Sequence, residues 1–304
     1  MIRLILSAAL VLSVLTSAQA QVKIAHTPKR EKGDKIRSVV TTDTKQTLTL
    51  GGMDIKTNAE QYIIVDEKVI DKKADGTTTS ESGFDVFQVN LETNGIKLEF
   101  DKGAKDKPAP IPQFEPLIKL YRALSEAKWH SEVAKTGKIN SMKYLDDPFN
   151  GLPEEIKKEA NADKFKERQD QMLKRYPGKE VKRGDKWTRN EIADFGAGQK
   201  FELQREFTYE GTKEVDGKTY DVITYTTSKV DFSVQNNPML NASDVKLKST
   251  DKSKGEILYD RDLQVMTTTT EKLHITGTLK INANGMEFDG ELDLLIESSA
   301  KVSK

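Results

Sequence analysis

Apolar and polar residues alternate with a period of two along much of this chain, and no other feature constrains the fold as strongly. Apolar residues occupy every second position in 87–91, Asn94-Gly95 follows, and the alternation resumes in 96–100. Asn-Gly between two alternating segments is a strong hairpin signal, because both residues tolerate a positive φ. Such strands have one apolar and one polar face, which predicts an antiparallel sheet covering a single core.

The same device recurs near the C-terminus, where the alternating segments 273–281 and 286–296 flank Asn284-Gly285. Long strands are also predicted at 36–50, 53–70, 200–213, 219–234, 245–250, 256–259 and 263–271. Together these segments predict a mainly β fold of the β-rich α+β class, built as a curved antiparallel sheet or half-barrel, with two helices inserted mid-chain.

Residues 107–178 interrupt this pattern. The prolines within 108–112 favour an extended linker, because proline fixes φ and lacks an amide donor. Residues 114–127 then have apolar side chains at helical spacing, which predicts an amphipathic helix. A hairpin is predicted next, with strands at 129–135 and 138–145 on either side of Thr136-Gly137.

A second helix is predicted from Pro153 to about Arg175, where Tyr176-Pro177-Gly178 ends it. Charged residues dominate this segment. Its thin apolar stripe consists of Ile156, Ala160, Phe165 and Met172. We therefore expect this helix to lie mostly on the surface.

A short motif occurs twice, as Lys-Gly-Asp-Lys-Ile-Arg at 32–37 and as Arg-Gly-Asp-Lys-Trp-Thr-Arg at 183–189. Each copy precedes a series of long strands. A basic-Gly-Asp turn leading into the first strand of each half explains both copies, and their wide separation suits an ancient duplication. Chance similarity between turn sequences is the alternative.

These features divide the chain into segments. We predict a signal peptide at 1–20, a flexible N-terminal tail at 21–32 and a first β-rich half at 33–106. The linker, helix, hairpin and charged helix occupy 107–178, the second β-rich half occupies 179–297, and 298–304 form a tail.

The first twenty residues have the three parts of a secretory signal peptide. Arg3 is positively charged, 4–15 are apolar apart from small residues and serines, and Ala18-Gln19-Ala20 has the small-x-small pattern of a cleavage site. An uncleaved anchor is the alternative, but the apolar segment is short for the ~20 residues that a membrane helix needs. We expect export to the periplasm or the extracellular space, with Gln21 as the first mature residue.

Composition excludes several classes of partner and site. Lys plus Arg and Asp plus Glu both number 48, so no long-range field favours nucleic acid or an anionic membrane. The chain has no cysteine, which excludes disulfides, thiolate metal sites and a lipid-modified N-terminal cysteine. No segment of the mature chain is long and uncharged enough to predict a transmembrane span.

Residues 181–187, Val-Lys-Arg-Gly-Asp-Lys-Trp, open the second half with a pattern that resembles a family of exported bacterial proteins of unknown function. The Gly-Asp-Lys turn before each half, the Pro-rich stretch before a helix and the Thr-Gly-Lys-Ile hairpin at 136–139 share this resemblance. The overall plan is also similar to the lipoprotein-localisation-factor fold. That similarity implies a concave apolar cavity for acyl chains, and no binding residue is carried over from it.

The sequence predicts no catalytic, cofactor-binding or metal site. His26 lies in the predicted tail, while His130 and His274 lie on predicted strands among polar neighbours, so each is expected to be a surface or edge histidine. No Gly-x-Ser-x-Gly elbow occurs. Gly196-Ala197-Gly198 is predicted to connect strands, which does not fit a phosphate-binding loop at a helix start.

Acidic pairs occur at Asp146-Asp147 and in Asp260-Arg261-Asp262, but neither has the alternating ligands and distal Glu of a calcium loop. We interpret them as turn residues that bond their own backbone. The same turn interpretation is preferred over an adhesion signal at Arg183-Gly184-Asp185. Trp129 and Trp187 each open a strand and are expected in the core.

Two functions remain open from the sequence. The first is a non-catalytic exported envelope protein that binds an apolar or lipid ligand, or a lipidated partner, inside a curved sheet. The alternative is a structural or protein-interaction module without a ligand pocket, whose strand edges contact another envelope protein.

Overall fold

The computed structural model describes residues 21–304 except 106, 155–156, 158–160, 197–198, 235–239 and 284–285. The predicted signal peptide, the predicted turn at Asn284-Gly285 and most of Gly196-Ala197-Gly198 lie outside the described residues.

The described strands are β1 (Val22–Lys23), β2 (Lys35–Leu50), β3 (Met53–Lys72), β4 (Thr78–Thr93), β5 (Ile96–Asp101), β6 (Lys128–Val133), β7 (Ile139–Tyr144), β8 (Glu180–Val181), β9 (Lys186–Gly196), β10 (Gln199–Val215), β11 (Lys218–Val234), β12 (Leu240–Ser249), β13 (Lys254–Asp260), β14 (Val265–Ala283) and β15 (Met286–Ser303). The helices are α1 (Glu115–Glu126), preceded by a 3₁₀ turn at Pro112–Phe114, and α2 (Ala162–Leu173).

Thirteen strands form one antiparallel sheet in the order β7-β6-β4-β3-β2-β15-β14-β13-β11-β10-β9, with β5 beside β4 and β12 beside β14. The sheet curls, because Phe201 and Leu203 of β10 share a buried cluster with Leu292 and Leu294 of β15, several strands away. The main strand order ends at β7 and β9, which do not pair with each other, so the sheet is an open shell, and among the described strands β5 and β12 each have one strand partner. The predicted curved antiparallel sheet is confirmed.

The two halves repeat one plan and join through the pairing of β2 with β15. In the first half β2, β3 and β4 lie side by side, and β5 and β6 both pair with β4, at its opposite ends. In the second half β9, β10 and β11 lie side by side, and β12 and β13 share the position between β11 and β14. The first half inserts α1 between its two short strands, where the second half has a tight connection.

The repeated motif forms the same turn in both halves. The amide of Gly33 donates to the Val69 carbonyl at 2.8 Å, and the amide of Gly184 donates to the Tyr209 carbonyl at the same distance. Both glycines have φ near +90°, at 94° and 89°, a backbone region that favours glycine. The carboxylate of Asp34 accepts from the amide three residues earlier, as that of Asp185 does. The turn interpretation of Arg183-Gly184-Asp185 is therefore confirmed, and the duplication gains structural support.

Both predicted tails are ordered, so these two predictions are wrong. In 21–32, β1 pairs with β8 and Ile24 is only 1% exposed. In 298–304, β15 continues to Ser303, and Lys304 forms an ion pair with Asp34 at 2.7 Å. The sequence pattern missed both segments because their partners lie far away along the chain and their apolar residues are too few to show a period.

The inserted segment follows the prediction except at the start of its second helix, because α2 begins at Ala162, after its N-cap Asn161, and not at Pro153. Helix α1 and the β6–β7 hairpin occupy the expected positions, and Gly137 of the turn has φ 77°. Helix α2 has no buried residue, as expected for a surface helix, and its N-cap Asn161 accepts from the Lys164 amide. Ile156 and Ala160 of the predicted stripe lie outside the described residues.

Strand β14 differs from the sequence interpretation, which split it into 263–271 and 273–281. It is one strand from Val265 to Ala283. Lys272, at the supposed break, points to the face opposite the buried Leu273 and forms an ion pair with Glu297 at 2.5 Å. A lysine on the polar face does not interrupt a strand, so the alternation continues through it.

Three buried clusters line the inner face of the shell. The first lies at the end where the Gly33 and Gly184 turns are found and includes Trp187, Phe207 and Ile257. The second, with Leu203, Ile275 and Leu294, fills the middle of the second half. In the third, α1 covers the first half, and its apolar side packs on Phe87 and Phe100. Trp129 and Trp187 are 8% and 6% exposed, which confirms their core role.

Candidate ligand-binding hollow

Strand β10 shows how the interior of the shell changes from one end to the other. Its inward side chains are, in order, Phe201, Leu203, Arg205, Phe207 and Tyr209. Phe201 lines a cavity, whereas Phe207 and Tyr209 belong to the tightly buried cluster at the other end. We name these the open end and the closed end of the shell.

The cavity at the open end, which we call the hollow, has a volume of about 650 Å³. Its apolar wall consists of Leu48, Leu50, Met53, Ile55, Phe201, Phe232, Val234, Leu279, Ile281, Phe288, Leu292 and Leu294, with Ala242. Gln46, Asp54, Asn94, Gln199 and Asn241 complete the lining. The volume lies within the roughly 300–1,000 Å³ of small-molecule sites.

Strand register places the apolar wall on one face. Leu48 of β2 lies opposite both Leu292 of β15 and Ile55 of β3, and Ile281 of β14 lies opposite Phe288. Directly opposed residues of neighbouring strands point to the same face of a sheet. The wall is therefore the continuation of the alternating apolar pattern beyond the point where the core is filled.

Polar groups on the wall are almost all uncharged amides. The Asn94 side chain accepts from the Lys56 amide and that of Asn241 accepts from the Ala242 amide, both at 2.8 Å. Gln46 pairs with Leu294 in register and is half-buried, and no described residue hydrogen bonds to its side chain. A half-buried amide without a protein partner is free to bond a polar group of a ligand or water.

A second, larger depression crosses the middle of the sheet. It has a volume of about 790 Å³ and is lined mainly by threonines, serines and charged residues, among them Lys254, Glu256 and Lys272. Glu256 pairs with Lys213 and Lys272 pairs with Glu297, both at 2.5 Å. We prefer the hollow as the binding site despite its smaller volume, because its lining residues are mostly apolar and those of the depression are mostly polar or charged.

Below the hollow, a charged layer separates it from the closed end. Arg175, which follows α2, lies 3.0 Å from Glu191 of β9, and Arg205 of β10 lies 3.3 Å from the same carboxylate. Arg205 also forms an ion pair with Glu271 of β14, and the Tyr225 hydroxyl donates to Glu271 at 3.1 Å. These residues do not line the hollow, so a ligand there does not meet them.

Opposite charges in this layer favour the ionised forms of Glu271 and Arg175. Burial alone would raise the pKa of the Glu271 carboxyl, but the charges of Arg205 and Arg175 outweigh burial and hold it below its ordinary value. Burial likewise opposes the charge of Arg175, and Glu191 is the main group that holds its pKa above the usual range. The layer links the segment after α2 to β9, β10 and β14.

The N-terminal segment 21–30, which we call the strap, seals the closed end. Ile24 enters the buried cluster beside Val181, and the Tyr259 hydroxyl donates to the Ala25 carbonyl at 2.9 Å. Further along, the Thr27 amide donates to the Gln264 carbonyl at 3.2 Å. The strap thus crosses from β8 to the β13–β14 turn and closes the side of the shell that the sheet leaves open.

His26 of the strap was expected to be a surface residue, and this expectation is wrong. Its Nδ1 lies 2.8 Å from the Tyr176 hydroxyl, and its ring packs so closely on Gly137 that a Cβ there would lie 1.7 Å from the ring. Burial, followed by the positive charge of Arg30, lowers its pKa to about 4. His26 therefore joins the strap, the residues after α2 and the β6–β7 turn.

The other histidines remain separate, as expected. His130 lies on β6, which has a strand partner on each side, and is 3.3 Å from Glu81. The expectation of a surface or edge position is wrong for His274, which lies on the central strand β14, is 15% exposed and is 3.0 Å from Asp293. No group of three metal-binding side chains occurs among the residues that the structure describes.

The acidic pairs are turn residues, as predicted. The Phe149 amide donates to Asp147 at 3.2 Å, and the Asp262 and Leu263 amides donate to Asp260 at 2.8 and 3.1 Å. The guanidinium of Arg261, in the second turn, donates two hydrogen bonds to the carboxylate of the buried Asp221, at 2.6 and 2.7 Å. Within the described chain, no helix is long and apolar enough to span a membrane.

Sequence reasoning missed Gln46, Glu191 and Arg205. Each lies at a position where the alternation of its strand predicts an inward, apolar side chain. A polar residue at such a position was the available signal. Gln46 precedes Leu48 and Leu50 at that parity, and Arg205 lies between Leu203 and Phe207. Such residues are either paired inside the core or directed at a cavity, and only the tertiary structure distinguishes the two cases.

Residues 75–285, more than half of the chain, match a family of unknown function, DUF6263, and the protein belongs to this family. In this protein, the matched residues belong to an open, curved antiparallel sheet with a hollow at one end. No curated protein matches the chain significantly.

Three solved structures show distant likeness. A lipovitellin chain has 8% identity and a TM-score of 0.40, and the match covers 90% of this chain but 25% of lipovitellin. An outer membrane channel from Pseudomonas putida F1 has 8% identity and a TM-score of 0.23, covering 93% of this chain and all of the other. A DUF1329 family protein from Desulfovibrio piger has 9% identity and a TM-score of 0.16, with 87% and 85% covered. Likeness at this level carries no argument about function.

Proposed function

We propose that this protein is an exported, non-catalytic binding protein of the bacterial envelope that carries an apolar chain-like ligand in the hollow. The observation that carries the proposal is the apolar wall at the open end, where inward leucines, isoleucines and phenylalanines at the edge of the second buried cluster border a 650 Å³ cavity. Filling that cavity with an apolar chain would bury wall area at about 25 cal/mol per Å².

The alternative, an interaction module without a pocket, relied on accessible strand edges. Helix α2 and the residues after it contact β7 and β9, the two ends of the main strand order. The helix packs on β7, and on β9 the Trp187 indole donates to the Arg175 carbonyl at 2.9 Å and the Ile192 amide donates to Gln171 at 3.4 Å. These two edges therefore offer less unpaired backbone than the sequence suggested, whereas β5 pairs with β4 alone among the described strands and keeps an edge without a strand partner.

A variant that fills the hollow tests the proposal. Ala242 of β12 lines the hollow and lies opposite Ile281, so Ala242→Trp places an indole in the cavity without removing a core residue. Ser243→Trp is the matched control, because Ser243 is exposed and lies opposite Lys280 on the other face. We expect the uncharged dye Nile red to bind the parent protein and Ser243→Trp alike, and Ala242→Trp at least about tenfold more weakly.

Native mass spectrometry of gently purified protein gives the complementary measurement. We expect a fraction of the protein to carry an extra mass that organic extraction removes. A protein that carries nothing and binds no dye, or an Ala242→Trp variant that binds as well as its parent, would end the proposal.

Export is tested separately, by expressing the full chain in a bacterium with a periplasm and measuring the mass of the product. The proposal expects a mature chain that begins at Gln21 and fractionates with the envelope. A cytoplasmic product that retains Met1 would contradict it.

A further inference from the structure

The wall of the hollow contains no positive charge. Neither lysine nor arginine is among the described residues that line it, and Asp54 at the mouth is the single charged one. The undescribed segments 197–198, 235–239 and 284–285 contain no charged residue in their sequence either. The electrostatics of the hollow are therefore those of an uncharged cavity with a carboxylate at its mouth.

The nearby lysines are not available to a ligand inside the hollow. Lys56 and Lys280 belong to strands that line it, but each alternates with inward residues and so points to the outer face. Lys280 lies 2.8 Å from Glu287, and Lys56 lies 3.9 Å from Asp54. The buried arginines are likewise committed to glutamates in the charged layer.

Hydrogen-bonding capacity on the wall is instead supplied by carboxamides. Gln46 and Gln199 contribute side chains to the lining, and no described residue hydrogen bonds to either of them. A carboxamide both donates and accepts, which suits esters, amides and alcohols. An anionic head would lose its hydration without gaining a cation, a large cost in free energy.

Resting on the proposed function, we infer that the hollow selects apolar chains whose polar groups are uncharged, such as esters, amides or alcohols, and rejects free fatty acids and other anionic lipids. Gln46 at the inner part of the wall is the residue that bonds the uncharged polar group. The selection results from the absence of a cation on the wall, because Asp54 has the outward parity of Lys56 and lies 3.9 Å from it.

Competition for bound Nile red tests this inference at pH 8 with two probes of equal chain length, laurate and its uncharged glycerol ester monolaurin. We expect monolaurin to displace the dye at a concentration at least about tenfold lower than laurate does, as expected when an unpaired charge is buried. Equal potency, or stronger displacement by laurate, overturns the inference while the proposed function stands. Failure of Nile red to bind at all refutes the proposed function instead.

A charge introduced at Gln46 sharpens the test. Gln46→Lys places a cation on the wall, and we expect laurate to become at least as potent as monolaurin. Thr47→Lys is the matched control, because Thr47 is the next residue and points to the other face, so it should keep the parent preference. Nile red affinity and circular dichroism confirm that both variants fold, and a Gln46→Lys variant that binds dye yet still rejects laurate would contradict the inference.

Discussion

The two ends of the shell are built from the same alternating strands but differ in what occupies their interior. At the closed end Ile24, Phe207 and Ile257 are at most 1% exposed, and the strap supplies side chains that complete the cluster. At the open end Met53 and Met286 are 73% and 60% exposed, and the wall borders a cavity. A sheet with one apolar face needs a cover, and the described chain supplies it with the strap at the closed end and with α1 over the first half.

This difference between the two ends predicts that stability and ligand binding depend on different parts of the shell. Close packing concentrates the stabilising contacts at the closed end and in the second cluster, whereas side chains that border the hollow lack contacts on the cavity side. Apolar surface that borders a cavity is unfavourable unless a ligand fills it. Substitutions should therefore affect stability at the closed end and binding at the open end.

The largest effect on stability is expected in the charged layer. Arg205→Ala leaves Arg175 as the one arginine for two buried carboxylates, Glu191 and Glu271, and a buried carboxylate without its paired charge costs about 3–5 kcal/mol. Lys186→Ala is the control, since its pair with Glu206 is exposed and such pairs contribute less than about 1 kcal/mol. Urea denaturation checks both, and equal effects of the two variants would show that the layer does not stabilise the shell.

The strap is tested next. Ile24→Ala deletes a fully buried side chain and should lower the free energy of unfolding by about 2–5 kcal/mol. Lys23→Ala, on the neighbouring exposed position of the strap, should have little effect. If Ile24→Ala were as stable as its parent, the strap would not seal the closed end.

Lowering the pH should destabilise the closed end, because His26 becomes protonated. Its pKa is about 4 in the folded protein against 6.5 in the unfolded chain, so protonation favours unfolding. This contribution is absent above pH 6.5 and destabilises increasingly as the pH falls towards 4, reaching about 2 kcal/mol at pH 5. Denaturation at pH 7 and pH 5 measures it, and His26→Gln should show less loss. An unchanged pH profile in that variant would assign the effect to other groups.

The smallest effect is expected at the rim of the hollow. Met53→Ser alters an exposed side chain and should change stability by less than about 0.5 kcal/mol. Thermal denaturation provides the measurement. A loss comparable with that of Ile24→Ala would mean that the open end is packed in solution, and the contrast between the two ends would fail.

The strands and turns were predictable because their signals are local. The Asn94-Gly95 turn is confirmed, with Asn94 at φ 49° and Gly95 at φ 82°, and so are α1 and the β6–β7 hairpin. Both Gly-Asp turns were also identified from a motif a few residues long. Errors arose where structure depends on distant partners, as with β1, which pairs with a strand more than 150 residues later.

The sequence predicted that a curved sheet could enclose a hollow, but it did not predict where in the sheet the hollow lies. Leu48 and Leu203 have the same alternating pattern, yet one borders a cavity and the other is 1% exposed. Nothing local to either residue distinguishes them. Gln46 and Arg205 are polar residues at inward positions. The alternating pattern by itself did not show whether such a residue pairs inside the core or faces a cavity.

The sequence by itself determined which segments are strands, where the chain turns and which side chains face inward, because these properties depend on neighbours within a few positions. The tertiary structure alone decided that the halves share one sheet, that the strap closes one end and that the other stays hollow. Those outcomes depend on the curl of the sheet and on contacts between residues far apart in the chain, and a periodic pattern contains no information about which surfaces meet.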